Sequence, residues 1–155
     1  MASNLKAAEL RRLLANGEFI LAPGIYDGIS ARVADGMGFP ALYMTGYGAT
    51  ASMLGLPDAG LATYSDMVGR AEMICSVIDT PMIADADTGY GGLLNVQRTV
   101  RGYEAAGVAA IQIEDLGSTN GTAVDGRAVR AGLPMAFQPG STIRLGDVKL
   151  SVLQV

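Results

Sequence analysis

Two carboxylates stand two residues apart in MIADADTGYGG, residues 82–92, and of all the residues here their types and spacing point most directly to chemistry. Met82-Ile83-Ala84 is an apolar run long enough for one buried strand and too short for a helix. It leads into Asp85-Ala86-Asp87, and a strand places residues i and i+2 on one face. Both carboxylates are therefore expected to point the same way at the C-terminal end of a strand. Thr88-Gly89-Tyr90-Gly91-Gly92 then allows a tight turn and a close approach of backbone to a ligand. Paired carboxylates repel unless a cation sits between them. A hard divalent ion, Mg²⁺ or Mn²⁺, suits such a pair because it prefers oxygen ligands, and Mg²⁺ also keeps several waters. The competing assignment is structural: Asp87 or Thr88 caps the next helix and Asp85 is solvated.

The rest of the composition narrows the chemistry. The 155 residues contain no histidine, which excludes Ser-His-Asp and Cys-His catalysis and His-ligated zinc. Carboxylates, hydroxyls and backbone amides remain to act. One cysteine, Cys75, leaves no internal disulfide and fits a reducing, cytoplasmic setting; it lies in an apolar helical stretch, as a buried thiol does. A net charge of −4 argues against a nucleic-acid partner. No apolar run approaches the roughly 20 residues that span a bilayer, and MASNLKAAELRRLLANG lacks the apolar core of a signal peptide. Glycine, at 21 residues, is about twice its usual frequency and predicts many backbone-lined loops.

The elements that must position the carboxylates alternate between strand and helix up to about residue 115. Ser3 or Asn4 caps a helix running to about Ala15, with Gly17 as its stop signal. Phe19–Ala22 reads as a strand ended by Pro23-Gly24, Ile29–Met37 as a helix, and Ala41–Thr45 as a second strand. Gly46–Gly60 reads as a long functional loop. Tyr64–Ile78 is a helix, the strand at Met82 follows, Asn95 caps a helix through Ala106, and Ala109–Glu114 is a fourth strand. Such alternation builds a parallel sheet with right-handed crossovers, its functional loops at the strands' C-terminal ends.

Residues 116–155 differ. Residues 1–115 hold 13 acidic and 7 basic side chains and all six tyrosines; residues 116–155 hold 2 acidic and 4 basic. Turn signals at Asn120-Gly121, Asp125-Gly126 and Gly146-Asp147 separate short β-prone runs. This predicts a short antiparallel β segment, with Thr142–Leu145 and Val148–Gln154 as its closing hairpin.

Residues 18–115 resemble the isocitrate lyase/phosphoenolpyruvate mutase superfamily. The resemblance rests on PGIYDGISAR (23–32), YMTGYGAT (43–50), ADADTGYGG (84–92) and YEAAGVAAIQIED (103–115). It implies half of a (β/α)₈ TIM barrel, about four βα units, with Mg²⁺ or Mn²⁺ at its C-terminal mouth. The implied activity is that of a lyase or mutase on small 2-oxo or 2-hydroxy carboxylic acids, through an enolpyruvate-like intermediate. The implied site has Asp85 binding the metal directly and Asp87 and Glu114 acting through waters. Asp58 and Tyr43 would be catalytic, and Thr45 and Gly46 would hold the substrate carboxylate. With four strands instead of eight, the site is expected to be impaired and the open sheet edge to favour a homo-oligomer.

Residues 114–155 resemble the C-terminal half of a forkhead-associated domain, through EDLGSTNGTAVDGRAV and IRLGDVKLSV. That resemblance implies Ser118 and Asn120 as remnants of a phosphopeptide-binding surface. The two resemblances overlap at Ile113-Glu114-Asp115 and divide the chain into a half-barrel, 1–115, and a β segment, 116–155. The alternative to the lyase site is therefore a non-catalytic chimera carrying only that remnant.

Overall fold

Four short strands line up in chain order. The computed structural model describes residues 5–117, 121–130, 135, 141–145 and 148–151. Strands β1 (Gly24–Ile25), β2 (Leu42–Met44), β3 (Met82–Asp85) and β4 (Ala110–Gln112) form one sheet in the order β1-β2-β3-β4, every pair parallel. The register aligns Leu42 with Met82, Met44 with Ala84 and Ala84 with Ile111. Aligned residues share a face, so Leu42, Met44, Met82 and Ala84 form one buried row, while Tyr43, Ile83 and Asp85 alternate to the other face and are half-buried.

Five helices accompany the strands: α1 (Leu5–Ala15), α2 (Gly28–Asp35), α3 (Gly46–Leu54), α4 (Tyr64–Cys75) and α5 (Leu93–Ala105). Small residues on the inner helix faces, Ala31 of α2 and Ala71 of α4, let the backbones approach the buried row, and Ile74 and Tyr103 fill the space between. Asp27 and Thr63 start α2 and α4 with capping boxes, each accepting from the backbone N–H three residues on. Lys6 docks α1, its Nζ donating to the carbonyls of Cys75 and Ile78 at 2.9 and 2.6 Å, where the orphan carbonyls at the end of α4 favour a cation.

Several expectations are corrected. Phe19–Ala22 is not a strand: Phe19 is 88% exposed and the first strand lies at Gly24–Ile25. Pro23-Gly24, read as its end, precedes and begins it, because a Cβ at residue 24 would lie 2.9 Å from Thr45 Cγ2 and only glycine fits that edge. Gly46–Gly60 is not a long loop, since its first nine residues are α3. Thr45 caps that helix, its Oγ1 accepting from Gly48 N at 2.8 Å, and Gly55 closes it at φ +65°. Capping and packing outweigh the glycines' poor helix propensity. Asn95 is not a cap, because α5 begins at Leu93 with Gly92 before it. Helices and strands at 29–37, 64–78 and 109–114 are each shorter than the hydrophobic pattern suggests.

A second sheet is antiparallel, in the order β6-β5-β7-β8, from β5 (Thr122–Val124), β6 (Arg127–Ala128), β7 (Thr142–Leu145) and β8 (Val148–Ser151). Asp125-Gly126 forms the tight turn between β5 and β6, at φ 50° and 79°. The Asp125 carboxylate accepts from Thr142 N at 2.7 Å and Ser141 Oγ at 2.9 Å, which ties that turn to β7.

The buried row should carry the stability. Ile74 is fully buried, so Ile74→Ala should cost about 2–5 kcal/mol in urea unfolding. Ile29→Ala, at a side chain 78% exposed, should stay within about 0.5 kcal/mol. Equal losses would show that the sheet–helix layer is not the core.

Candidate active site

Asp85 is the last residue of β3, and both its carboxylate oxygens are held by backbone amides. Oδ1 accepts from Asp87 N at 2.9 Å and Oδ2 from Gly46 N at 3.2 Å. Gly46 N is the first amide of α3, one of the N–H groups a helix cannot satisfy internally, and it lies at the end of the helix that favours an anion. The carbonyl of Asp85 accepts from the Tyr103 hydroxyl at 3.1 Å, and the Tyr90 hydroxyl lies 3.0 Å from that of Tyr103.

The strand argument for Asp87 does not hold. The strand ends at Asp85, and Asp87 sits in the left-handed region at φ 49°, so a turn rather than strand alternation positions it. Tyr90, at φ 60°, is in the same region. A non-glycine residue there costs about 1–2 kcal/mol, less for an aspartate, whose short side chain can hydrogen-bond locally, so the cost falls mainly on Tyr90. The turn is tied from outside: Glu114 N donates to the Asp87 carbonyl at 2.8 Å and Thr99 Oγ1 to the Gly89 carbonyl at 3.1 Å.

These residues meet at a pocket of about 500 Å³ beyond the C-terminal end of the sheet, where Asp58, Asp85, Asp87 and Glu114 share the lining with Gly46 and Thr50. Four of the expected carboxylates are thus brought together. Burial pushes the Asp58 carboxyl above its ordinary range, and the neighbouring Asp85 and Asp87 charges push it further. Gly46 permits the crowding, since a Cβ there would lie 2.7 Å from Asp85 Oδ2 and 2.9 Å from Asp58 Oδ2.

Tyr43 and Thr45 lie behind this lining. The Tyr43 hydroxyl donates to Gln112 Oε1 at 2.9 Å, and Gln112 Nε2 donates to Glu114 Oε1 at 2.9 Å, so Tyr43 reaches the acidic group through Gln112. Burial, then the Asp85 and Glu114 charges, push Tyr43 up to about 12. Thr45 is occupied as the cap of α3, and the Gly46 N–H expected for a substrate carboxylate is directed at Asp85 instead. Ser118 and Asn120 lie outside the described residues.

Sequence reasoning missed Thr50, Tyr90, Tyr103 and Gln112. The Thr50 hydroxyl is fully buried in the pocket wall, near enough to ease the Asp58 charge yet without hydrogen-bond geometry to any partner. The signal for Tyr90 was its place between the glycines of GYGG. The other three lie within the quoted motifs, but neither their type nor their spacing marked them as site residues.

The donor set fits a hard cation that keeps most of its water. All the candidate ligands are oxygens, their charges repel across one space, and a buried hydroxyl stands in the wall without a partner. Among the described residues, no three His, Cys, Asp or Glu side chains converge to hold an ion unaided.

A parallel α/β sheet with an acid-lined pocket beyond its strand ends defines the class: an α/β protein whose site lies at the strands' C-terminal ends. Residues 10–136 match the phosphoenolpyruvate phosphomutase family, and the chain belongs to it. That match continues past the boundary expected at Asp115. The chain is 54% identical over 109 residues to 2,3-dimethylmalate lyase of Eubacterium barkeri, covering 70% of this chain and 38% of that protein. The crystal structure of an oxaloacetate acetylhydrolase is similar at a TM-score of 0.69 and 51% identity, over 71% of this chain and 40% of that one. A phosphonopyruvate hydrolase solved in complex with oxalate and Mg²⁺ is similar at a TM-score of 0.68 and 31% identity, over 81% of this chain and 43% of that one. The chain therefore spans about two fifths of the length of these relatives.

The crowding at Gly46 is open to test. Gly46→Ala must displace Asp85 or Asp58 and should destabilise by about 1–3 kcal/mol in urea unfolding. Gly69→Ala, at a helical position of α4 with open space beside it, should instead stabilise by about 0.5–1 kcal/mol. Effects of the same sign would remove the steric argument.

Proposed function

We propose that this chain carries the lyase- or mutase-type site of its family, acting on small 2-oxo or 2-hydroxy carboxylic acids with Mg²⁺ or Mn²⁺. The observation that carries the reading is the acidic pocket at the sheet's C-terminal end, with Asp85 held by two backbone amides. Asp85 holds the metal directly, and Asp87 and Glu114 hold its waters. Asp58, whose carboxyl is pushed above its ordinary range by burial and then by the Asp85 and Asp87 charges, faces the same space from the α3–α4 connection. Thr45 and Gly46, at the start of α3, are the groups assigned to the substrate carboxylate, which requires the Gly46 N–H to exchange Asp85 for the substrate, and Tyr43 sets Glu114 through Gln112. Bound there, the cation supplies positive charge where charge builds on the 2-oxo oxygen. The parallel sheet is read as the first four βα units of a barrel. Placement and closure of the substrate are worth about 7–11 kcal/mol of barrier where complete, and the described residues supply the part of that work done at the ends of β1–β4.

Calorimetric titration with Mn²⁺ and Mg²⁺ tests the reading, with Asp85→Ala alongside. The expected result is binding by the chain and at least a tenfold loss in Asp85→Ala. Pyruvate release from oxaloacetate should be weak and metal-dependent, exceeding the rate with free cation alone. Equal heats for the two proteins would overturn the assignment.

A second reading of residues 116–155, with which an antiparallel sheet is compatible and against which the family match through residue 136 counts, is a forkhead-associated remnant on a non-catalytic chimera. Its contacts, Ser118 and Asn120, offer neutral hydrogen bonds worth about 0.5–1.5 kcal/mol each. That is too little to order a flexible peptide, so anisotropy titration with a phosphothreonine peptide should show no binding at micromolar concentration. Binding at that level would instead favour the chimera.

A further inference from the structure

We propose that Tyr90 and Tyr103 form a two-hydroxyl relay that positions the Asp85–Asp87 turn, making both tyrosines positioning residues for the acidic pocket. The proposal rests on the site reading above for its use, and on hydrogen-bond geometry for its existence. A tyrosine hydroxyl has one proton to give. Tyr103, from α5, gives its proton to the Asp85 carbonyl at 3.1 Å. The 3.0 Å contact between the two hydroxyls is then donated by Tyr90 and accepted by Tyr103. The chain of donors runs from the pocket wall, through the buried Tyr103, to the backbone of the residue whose carboxylate the two amides hold.

The turn needs such a tie. Asp87, Gly89, Tyr90 and Gly91 all have positive φ, a backbone that glycine and aspartate tolerate and tyrosine does not. Tyr90 is both a member of the turn and one end of the relay, so its own hydroxyl holds its left-handed conformation. Its ring is braced at its edge by Tyr64, with centroids 6.2 Å apart, and Arg98 lies 4.4 Å over the Tyr64 ring.

Removing either hydroxyl leaves every carboxylate and the pocket's charge in place, which separates positioning from binding. Hydrogen-exchange mass spectrometry of the full chain should show residues 86–91 exchanging at least tenfold faster in Tyr103→Phe and Tyr90→Phe, with α2 unchanged. Tyr64→Phe, which keeps the bracing ring, should match the unsubstituted chain. Mn²⁺ affinity, measured on the same proteins, should fall about tenfold in Tyr103→Phe. Tyr90→Phe, at a half-buried position, keeps the test available if Tyr103→Phe folds poorly. Unchanged exchange in the turn, acceleration spread equally over α2, or unaltered Mn²⁺ affinity in the variants would overturn the relay. If the unsubstituted chain binds no Mn²⁺, the site reading falls and the turn-specific exchange alone decides the relay.

Discussion

Asp85 is the constraint on which the rest of the pocket depends. A carboxylate at a strand end would ordinarily be solvated and mobile. Here one oxygen is fixed by the first amide of α3, the other by the amide of Asp87, and the residue's carbonyl by Tyr103 of α5. Three elements therefore converge on one residue. Each contact also fixes something else: where α3 begins, how sharply the chain turns after β3, and how close α5 approaches the strand end.

That convergence explains two costs the molecule bears. The first is electrostatic. Four carboxylates line one pocket, and Asp58 is pushed above its ordinary range by burial and then by the Asp85 and Asp87 charges. The second is conformational, in the left-handed Asp87 and Tyr90. Strained backbone and crowded like charges persist only where surrounding structure over-determines them. The ties from Thr99, Tyr103 and Glu114 supply that here. Glycine relieves the steric part, since no side chain fits at residue 46 between Asp85 and Asp58.

The two sheets answer to different physics. The parallel sheet is short-stranded and relies on its helices, whose small inner residues let the layers close around Leu42, Met44, Met82 and Tyr103. The antiparallel sheet relies on local turns, with Asp125 acting as turn residue, acceptor for Thr142 and acceptor for Ser141 at once. Relatives of whose length the match covers about two fifths share the first arrangement at TM-scores near 0.7.

Apart from the turn expected at Gly146-Asp147, which lies outside the described residues, the sequence by itself determined the parallel α/β order, the chemical character of the acidic site and the hairpin turn at Asp125-Gly126. These follow from patterns within a few residues: apolar runs, capping residues, glycine pairs and carboxylates beside a strand end. It misplaced the first strand and read α3 as a loop, because whether Gly24 pairs with Tyr43, or Gly46 opens a helix, depends on neighbours distant in the chain. It brought Asp87 to the right place for the wrong reason, strand alternation instead of a left-handed turn. Tertiary structure alone decided that Gly46 N faces Asp85, that Gln112 links Tyr43 to Glu114, and that Tyr103 supports the strand end from 18 residues away. Those contacts depend on where α3, β4 and α5 lie relative to β3, and no local periodicity encodes the meeting of a hydroxyl or an amide with one particular atom across the fold.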